Sequence, residues 1–172
     1  MNKFMNKVLF PTVVFFGVIY GAYFAVKYAV DRIDKDPLNA SYITMKERDR
    51  EIDCLADSIF FEANNQNAEG KIAVAQVIIN RKNSGKYPND ICKVVYQDSQ
   101  FSFVKDKPKS LLSKNPHQYN EAKEVAKKVL LEGFRLSSLK TAMFYYSDSI
   151  SEPYWAKNKT KLIKIGNHIF MS

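Results

Sequence analysis

Glu62 is the side chain in this sequence best placed to do chemistry. Ile52, Leu55, Ala56, Ile59 and Phe60 precede it at three- and four-residue spacing, which predicts one buried helical face leading straight into a carboxylate. Loss of water around a carboxylate raises its pKa. A carboxylic acid still protonated near neutral pH can give its proton to a leaving oxygen. The plainer alternative is a solvated glutamate at a helix end. Glu69 reads as a solvated loop or first-turn helix residue, while Asp106, Asp148 and Glu152 stay open as second carboxylates, because spacing does not give distance. A cysteine nucleophile would need Cys54 or Cys92 beside His117 or His168; Cys54 falls among helical core positions and nothing in the sequence aims a histidine at it. Neither cysteine lies in a CxxC pair, so no zinc site, and no metal or cofactor, is expected. Outside the cytosol the two could form one disulfide; inside it they would be buried thiols.

The elements that must position Glu62 follow from the pattern around it. The polar loop NNQNAEG comes next, with Gly70 free to adopt angles closed to other residues. Ile72 to Asn80 is apolar on most faces and reads as a central buried helix. Asp90 is placed to cap a short helix running to Tyr96, and the stretch from Asp98 to Pro116 is polar and irregular. Helical periodicity returns at Tyr119, Ala122, Val125, Ala126, Val129 and Leu130, and Gly133 stands where a helix stops. Thr141 to Tyr146 has strand character, and KLIKI-GN-HIFM reads as a hairpin turning at Gly166-Asn167. Helices first and a small sheet last predict an α+β fold.

Upstream, Val8 to Val26 is a run of 19 residues without a charge, about 28 Å as a helix and close to the thickness of a bilayer core. A cleaved signal peptide would show a shorter apolar region and a small-x-small site, to which Ala22 and Ala25 are the nearest approach. Lys3 and Lys7 make the leading flank purely basic, whereas Asp31 to Asp36 mixes signs, so the amino terminus is expected in the cytoplasm and everything after residue 30 outside it. The expected organisation is a cytoplasmic basic N-terminus over 1–7, a transmembrane signal-anchor over 8–30, a tether over 31–46 punctuated by Pro37, Asn39, Ser41 and Thr44, and one domain over 47–172. Of the net charge of +8, +2 lies in the first 40 residues and +6 in the remainder. A basic domain suits a polyanion: nucleic acid, anionic lipid or an acidic wall polymer. With no RNP motif, zinc-finger spacing or clear helix-turn-helix signal, nucleic acid is not the expected partner.

Three segments, in this order, carry a resemblance. DCLADSIFFEANNQNAEGKIAVAQVIINR has an aromatic before Glu-Ala, then Gly, Ala-Val-Ala and Asn-Arg; YPNDICKVVYQDSQFSF has a Pro, a Cys and a Gln-Phe-Ser; AMFYYSDSISEPYWAKNKTKLIKIGNHIFMS has a Tyr, a Pro-x-Trp-Ala and a closing Ile-Gly-Asn-His-x-Phe. Together they resemble the SleB/CwlJ-type cell wall hydrolase family over roughly residues 53 to 171, a family of spore cortex-lytic enzymes that also occurs in phage lysis proteins. The resemblance implies a lysozyme-like fold, mostly helical with a small C-terminal hairpin or sheet. It also implies cleavage of peptidoglycan between N-acetylmuramic acid and N-acetylglucosamine, with Glu62 as the catalytic acid.

Members that are lytic transglycosylases need only that one acid, because the muramic acid C6 hydroxyl attacks its own anomeric carbon and no water is activated. Where the family often reads Glu-Ala-Arg-Gly-Glu, this chain reads Glu62-Ala63-Asn64-Asn65-Gln66, so the second acid is an amide that can act neither as base nor as nucleophile. Substrate contacts are expected from Gln100 and Ser102, whose alternative is capping their own turn. They are also expected from Tyr145 and Tyr146, of which strand alternation puts one in the core, and from Trp155, whose alternative is the core. His168, after the hairpin turn, reads as structural.

The resulting expectation is a single-pass protein of the inner, cytoplasmic membrane whose monomeric catalytic domain faces the periplasm or outside and degrades peptidoglycan as a lytic transglycosylase. The alternatives are a phage signal-anchor endolysin acting as a true muramidase, and an inactive wall-binding protein of the same fold.

Overall fold

The computed structural model describes residues 20, 22–27, 37–98, 100–101, 103–106 and 110–172. The chain divides into two compact units, Met1–Glu47 and Arg48–Ser172. In the first, residues 22–27 are helical, Tyr20, Tyr23, Phe24 and Val26 are exposed, and the Tyr23 and Phe24 rings meet edge to face. Most of the expected anchor over 8–30 lies outside the described residues. Among the described residues no helix is long and apolar enough to cross a membrane. The second half of the expected tether is helical rather than turn-punctuated: α1 begins at Pro37, where a missing N–H leaves no helical bond unmade, and runs as Pro37–Ala63.

Within Arg48–Ser172 the chain forms α2 (Ala68–Asn83), α3 (Ile91–Val95), α4 (Phe103–Asp106), α5 (Ser110–Lys114), α6 (Pro116–Leu130) and three strands, β1 (Phe144–Ser147), β2 (Lys161–Ile165) and β3 (His168–Met171). The fold is therefore mostly helical with a small C-terminal antiparallel sheet, in the order β1-β3-β2. The apolar face read from spacing is the core of α1: Leu55, Ala56 and Ile59 are fully buried, with Ile52 and Phe60 nearly so. Each of the leucine, isoleucine and phenylalanine side chains contributes about 1.5–3 kcal/mol when taken wholly from water.

α2 is the central element. Every residue from Gly70 to Ile79 is buried, and the helix packs against α1, α3 and α6 in one cluster and against Leu139, Ala142, Ile165 and Phe170 in another. The buried Gln76 and Arg81 and the half-buried Asn80 secure the irregular segment that feeds β1. Gln76 exchanges hydrogen bonds with the Leu136 backbone (3.0 and 2.7 Å), Asn80 donates to the Leu139 and Ala142 carbonyls (both 2.8 Å), and Arg81 donates through Nε to the Met143 carbonyl (2.8 Å). Those engaged carbonyls explain why the strand starts at Phe144 and not at Thr141.

Three contacts at three-residue intervals join α1 to the segment around α3. The Glu51 carboxylate accepts the Ile91 N–H (3.1 Å), Cys54 is disulfide-bonded to Cys92, and Asp57 accepts the Tyr96 hydroxyl. Asp57 is 5% exposed and also accepts from the Tyr119 hydroxyl on α6 (2.8 Å). Burial and this carboxylate push the phenols of Tyr96 and Tyr119 well above their ordinary value. Asp90 caps α3 by accepting the Lys93 N–H at 2.8 Å, as its position predicts.

Candidate active site

Glu62 lies in the last turn of α1, half-buried, with its Oε1 atom shielded from solvent. The Tyr145 hydroxyl donates to Oε2 at 3.4 Å. Tyr145 comes from β1, where it pairs with Phe170 of β3, and its ring rests against His168 (centroids 5.1 Å apart) and Phe170 (5.6 Å). Burial, then the Glu62 charge, drives the Tyr145 phenol well above its usual range, so it remains a donor to the carboxylate. Burial lowers the pKa of His168.

The loop after α1 is clamped to the hairpin. Gln66, 9% exposed, donates through Nε2 to Asn65 (3.1 Å) and accepts the Asn167 N–H through Oε1 (3.0 Å). Gly166 has φ +55°, which favours glycine, and a Cβ there would meet Gln66 Oε1 at 2.0 Å, so a larger residue must displace the Gln66 amide. The amide that replaces the family's second acid is thus engaged in holding the hairpin tip. Of the other acids left open, Glu152 pairs with Lys161 (2.9 Å) and Asp148 with Lys164, Glu69 is an exposed first-turn residue of α2, and the side chain of Asp106 lies outside the described residues.

Two hollows are lined by neighbours of Glu62, one by Phe61 beside it in sequence and one by its hydrogen-bond partner Tyr145. One, of about 400 Å³, is lined by Phe60, Phe61, Asn64, Asn65, Leu111 and Asn115, the residues flanking Glu62 on α1 among them. The other, of about 390 Å³, is lined by Arg81, Gln100, Phe144, Tyr145, Trp155 and Lys159. The second gathers three of the expected contacts, Gln100, Tyr145 and Trp155, the last 47% exposed.

Tyr146, expected beside them, is not in the cleft. It packs with Ala156 and Met171 because successive residues of β1 face opposite sides of the sheet. Ser102 lies outside the described residues. Arg81, Phe144 and Lys159 were not anticipated. Arg81 stands in the Asn-Arg of the first motif, but a buried helix pattern gives no reason to aim an arginine at a cleft, and Lys159 is hidden in the charge run KNKTK. Rings surround the Arg81 guanidinium, those of Tyr87, Phe101 and Phe144 lying 5.2, 5.5 and 5.8 Å from it, and desolvation lowers its pKa.

Comparison with known proteins bears on the family and the fold. A family model described as cell wall hydrolase matches residues 65–171, beginning just after Glu62. Similar curated proteins include the spore cortex-lytic enzymes of Bacillus subtilis (27% identical over 121 residues, 70% of this chain and 37% of the relative) and Bacillus cereus (27% over 121 residues, 70% and 43%). This chain therefore spans less than half the length of those relatives. Among solved structures, the catalytic domain of the Bacillus cereus SleB protein superposes with a TM-score of 0.54 at 23% identity, covering 71% of this chain and 89% of that one. The catalytic domain of the germination-specific lytic transglycosylase SleB from Bacillus anthracis gives 0.53 at 25%, covering 71% and 93%. With more than half of its length matched by the family model, the chain belongs to the cell wall hydrolase family.

Proposed function

We propose that this protein cleaves peptidoglycan between N-acetylmuramic acid and N-acetylglucosamine as a lytic transglycosylase with Glu62 as its single acid and base. The observation that carries the reading is the Tyr145 hydroxyl donating to Glu62, with Tyr145 lining one hollow and Phe61 the other, each large enough for saccharide, while Gln66, four residues on in the loop after α1, is an amide bonded to the hairpin. In this mechanism the protonated Glu62 gives its proton to the glycosidic oxygen as the bond from the muramoyl C1 breaks. The C6 hydroxyl of the same muramoyl residue then bonds to C1, and its proton returns to Glu62. The product is a 1,6-anhydromuramoyl end, and no water is used. Tyr145 holds Oε2 through its hydroxyl and so orients the carboxyl group. The lysozyme-like architecture implied by the resemblance suits a strand bound across the end of α1. The names of the relatives, cortex-lytic enzyme and lytic transglycosylase, point the same way.

The reading includes a single-pass anchor over residues 8–30, resting on the charge-free run Val8–Val26 and the basic flank with Lys3 and Lys7, with the catalytic unit outside the cytoplasm. Alkaline extraction of membranes tests it: retention of the full chain in the pellet supports an anchor, and release into the supernatant rules it out. The chemistry is tested by mass spectrometry of muropeptides released from purified peptidoglycan by the full chain and by Glu62→Gln. Anhydromuramoyl products from the native protein alone are expected. Reducing muramoyl ends would replace transglycosylation by hydrolysis, and release equal in both proteins would remove Glu62 from the mechanism.

A further inference from the structure

The cleft beside Tyr145 holds two cations that the chemistry at Glu62 does not use. Arg81 is 5% exposed yet lines the cleft, and among the described residues its guanidinium makes one hydrogen bond, from Nε to the Met143 carbonyl. Its Nη1 is buried with no acceptor, and Arg81 forms no ion pair among the described residues. Lys159, which also lines the cleft, sets its ammonium 3.6 Å from the Phe144 ring centroid, and it too has no carboxylate partner among the described residues. On β2, by contrast, Lys161 and Lys164 are paired with Glu152 and Asp148, while Lys157 lies over the Tyr154 ring, 5.6 Å from its centroid. A buried donor without an acceptor is costly, and two unpaired cations converging on one hollow repel each other unless an anion joins them. Aromatic faces hold both charges without neutralising them, which leaves their N–H groups for a ligand.

We propose that the cleft of Arg81, Gln100, Phe144, Tyr145, Trp155 and Lys159 is a subsite for a carboxylate carried on the lactyl arm of a muramoyl residue. This rests on the peptidoglycan reading above and adds the part of the substrate that would be recognised. Arg81 and Lys159 bind the carboxylate, Gln100 supplies an amide for the polar groups next to it, and Trp155 offers a face to the sugar ring. The carboxylate has two sources: the lactyl group itself in a strand stripped of peptide, or the peptide attached to it. A neutral glucosamine oligomer has neither. The site therefore distinguishes wall glycan from neutral chitin-like glycan by charge, at a distance from the bond being broken.

Trp155 is the only tryptophan in the chain and lines this cleft, so its fluorescence reports occupancy directly. The test is titration of the full-length Glu62→Gln protein with three probes: a peptide-bearing disaccharide, the same disaccharide after amidase treatment, and N,N′-diacetylchitobiose. At least one muramoyl probe should bind about tenfold more tightly than chitobiose, the margin of one charge-assisted hydrogen bond, and added salt should shrink that margin. Which of the two binds more tightly identifies the source of the carboxylate. Arg81→Gln and Lys159→Gln should each reduce the margin; Lys159 is a half-buried surface residue, so its variant tests the idea even where the loss of Arg81 unfolds the protein. Equal affinity for all three probes, or a margin that survives Lys159→Gln and is indifferent to salt, overturns the subsite. A preserved margin in a protein whose native form releases no muropeptide would instead defeat the transglycosylase reading and leave the subsite standing.

Discussion

The amide oxygen of Gln66 accepts the backbone N–H of Asn167 at 3.0 Å, joining the loop after the Glu62 helix to a hairpin tip 101 residues away in sequence. The contact is possible because Gly166 carries no side chain: a Cβ there would stand 2.0 Å from the same oxygen. One glycine thus sets how closely the sheet that carries Tyr145 approaches the helix that carries Glu62.

Gly166→Ala is therefore expected to destabilise the fold by about 2 kcal/mol, combining an alanine at positive φ with the loss of the Gln66 hydrogen bond. Urea denaturation checks this, with a lower midpoint and an unchanged slope as the expected result. A variant as stable as the parent would mean that Gln66 swings away at no cost.

Tyr145→Phe removes the hydroxyl that orients Glu62 but keeps the ring against His168 and Phe170. Turnover of peptidoglycan is expected to fall about tenfold, the loss of one hydrogen bond to a charged group, with the melting temperature little changed. Full activity in the phenylalanine variant would show that the 3.4 Å contact does not contribute to catalysis.

The Cys54–Cys92 disulfide closes a loop of 38 residues. Chain-entropy reasoning gives about 4 kcal/mol for a loop of that size. The Cys54→Ala/Cys92→Ala protein, or the parent under reductant, should unfold at distinctly lower denaturant, and the parent should show no free thiol when titrated without reductant.

His168 supplies a pH dependence. Burial depresses its folded pKa below the unfolded value of about 6.5, with Asp148 opposing the shift. The unfolded chain then binds the proton more readily than the folded one. The stabilising contribution is complete above pH 6.5 and is lost as pH falls through the lower folded pKa. Stability measured from pH 7.5 down to 5 should decline, and His168→Phe should flatten that part of the curve. An identical decline in the variant would assign the effect to other groups.

Much of this arrangement is legible in the sequence wherever local physics decides it. The spacing from Ile52 to Phe60 fixes the buried face of α1, Asp90 announces the cap of α3, and Gly166-Asn167 marks the hairpin turn. What is not legible depends on distant partners. Strand alternation says that one of Tyr145 and Tyr146 faces the cleft, but only the packing of β1 against Phe170 and Ile169 of β3 decides which. The role of Arg81 needs the Met143 carbonyl, 62 residues away, before its burial makes sense. The short helices α4 and α5 are below the length at which periodicity is informative, and they exist through tertiary packing.

The three contacts along α1, at Glu51, Cys54 and Asp57, act as a key fixed along a shaft. An α-helix that slips by one residue turns by about 100° and travels about 1.5 Å, so a salt bridge or apolar packing alone leaves neighbouring settings of roll and slide within reach. A covalent bond flanked by a carboxylate on either side leaves a single setting. Glu62 lies five residues beyond the last of these contacts, about 7.5 Å further along the axis, and takes its azimuth from them. The aim of the carboxylate is thus determined one to three turns back along the helix, by residues joined to the segment around α3.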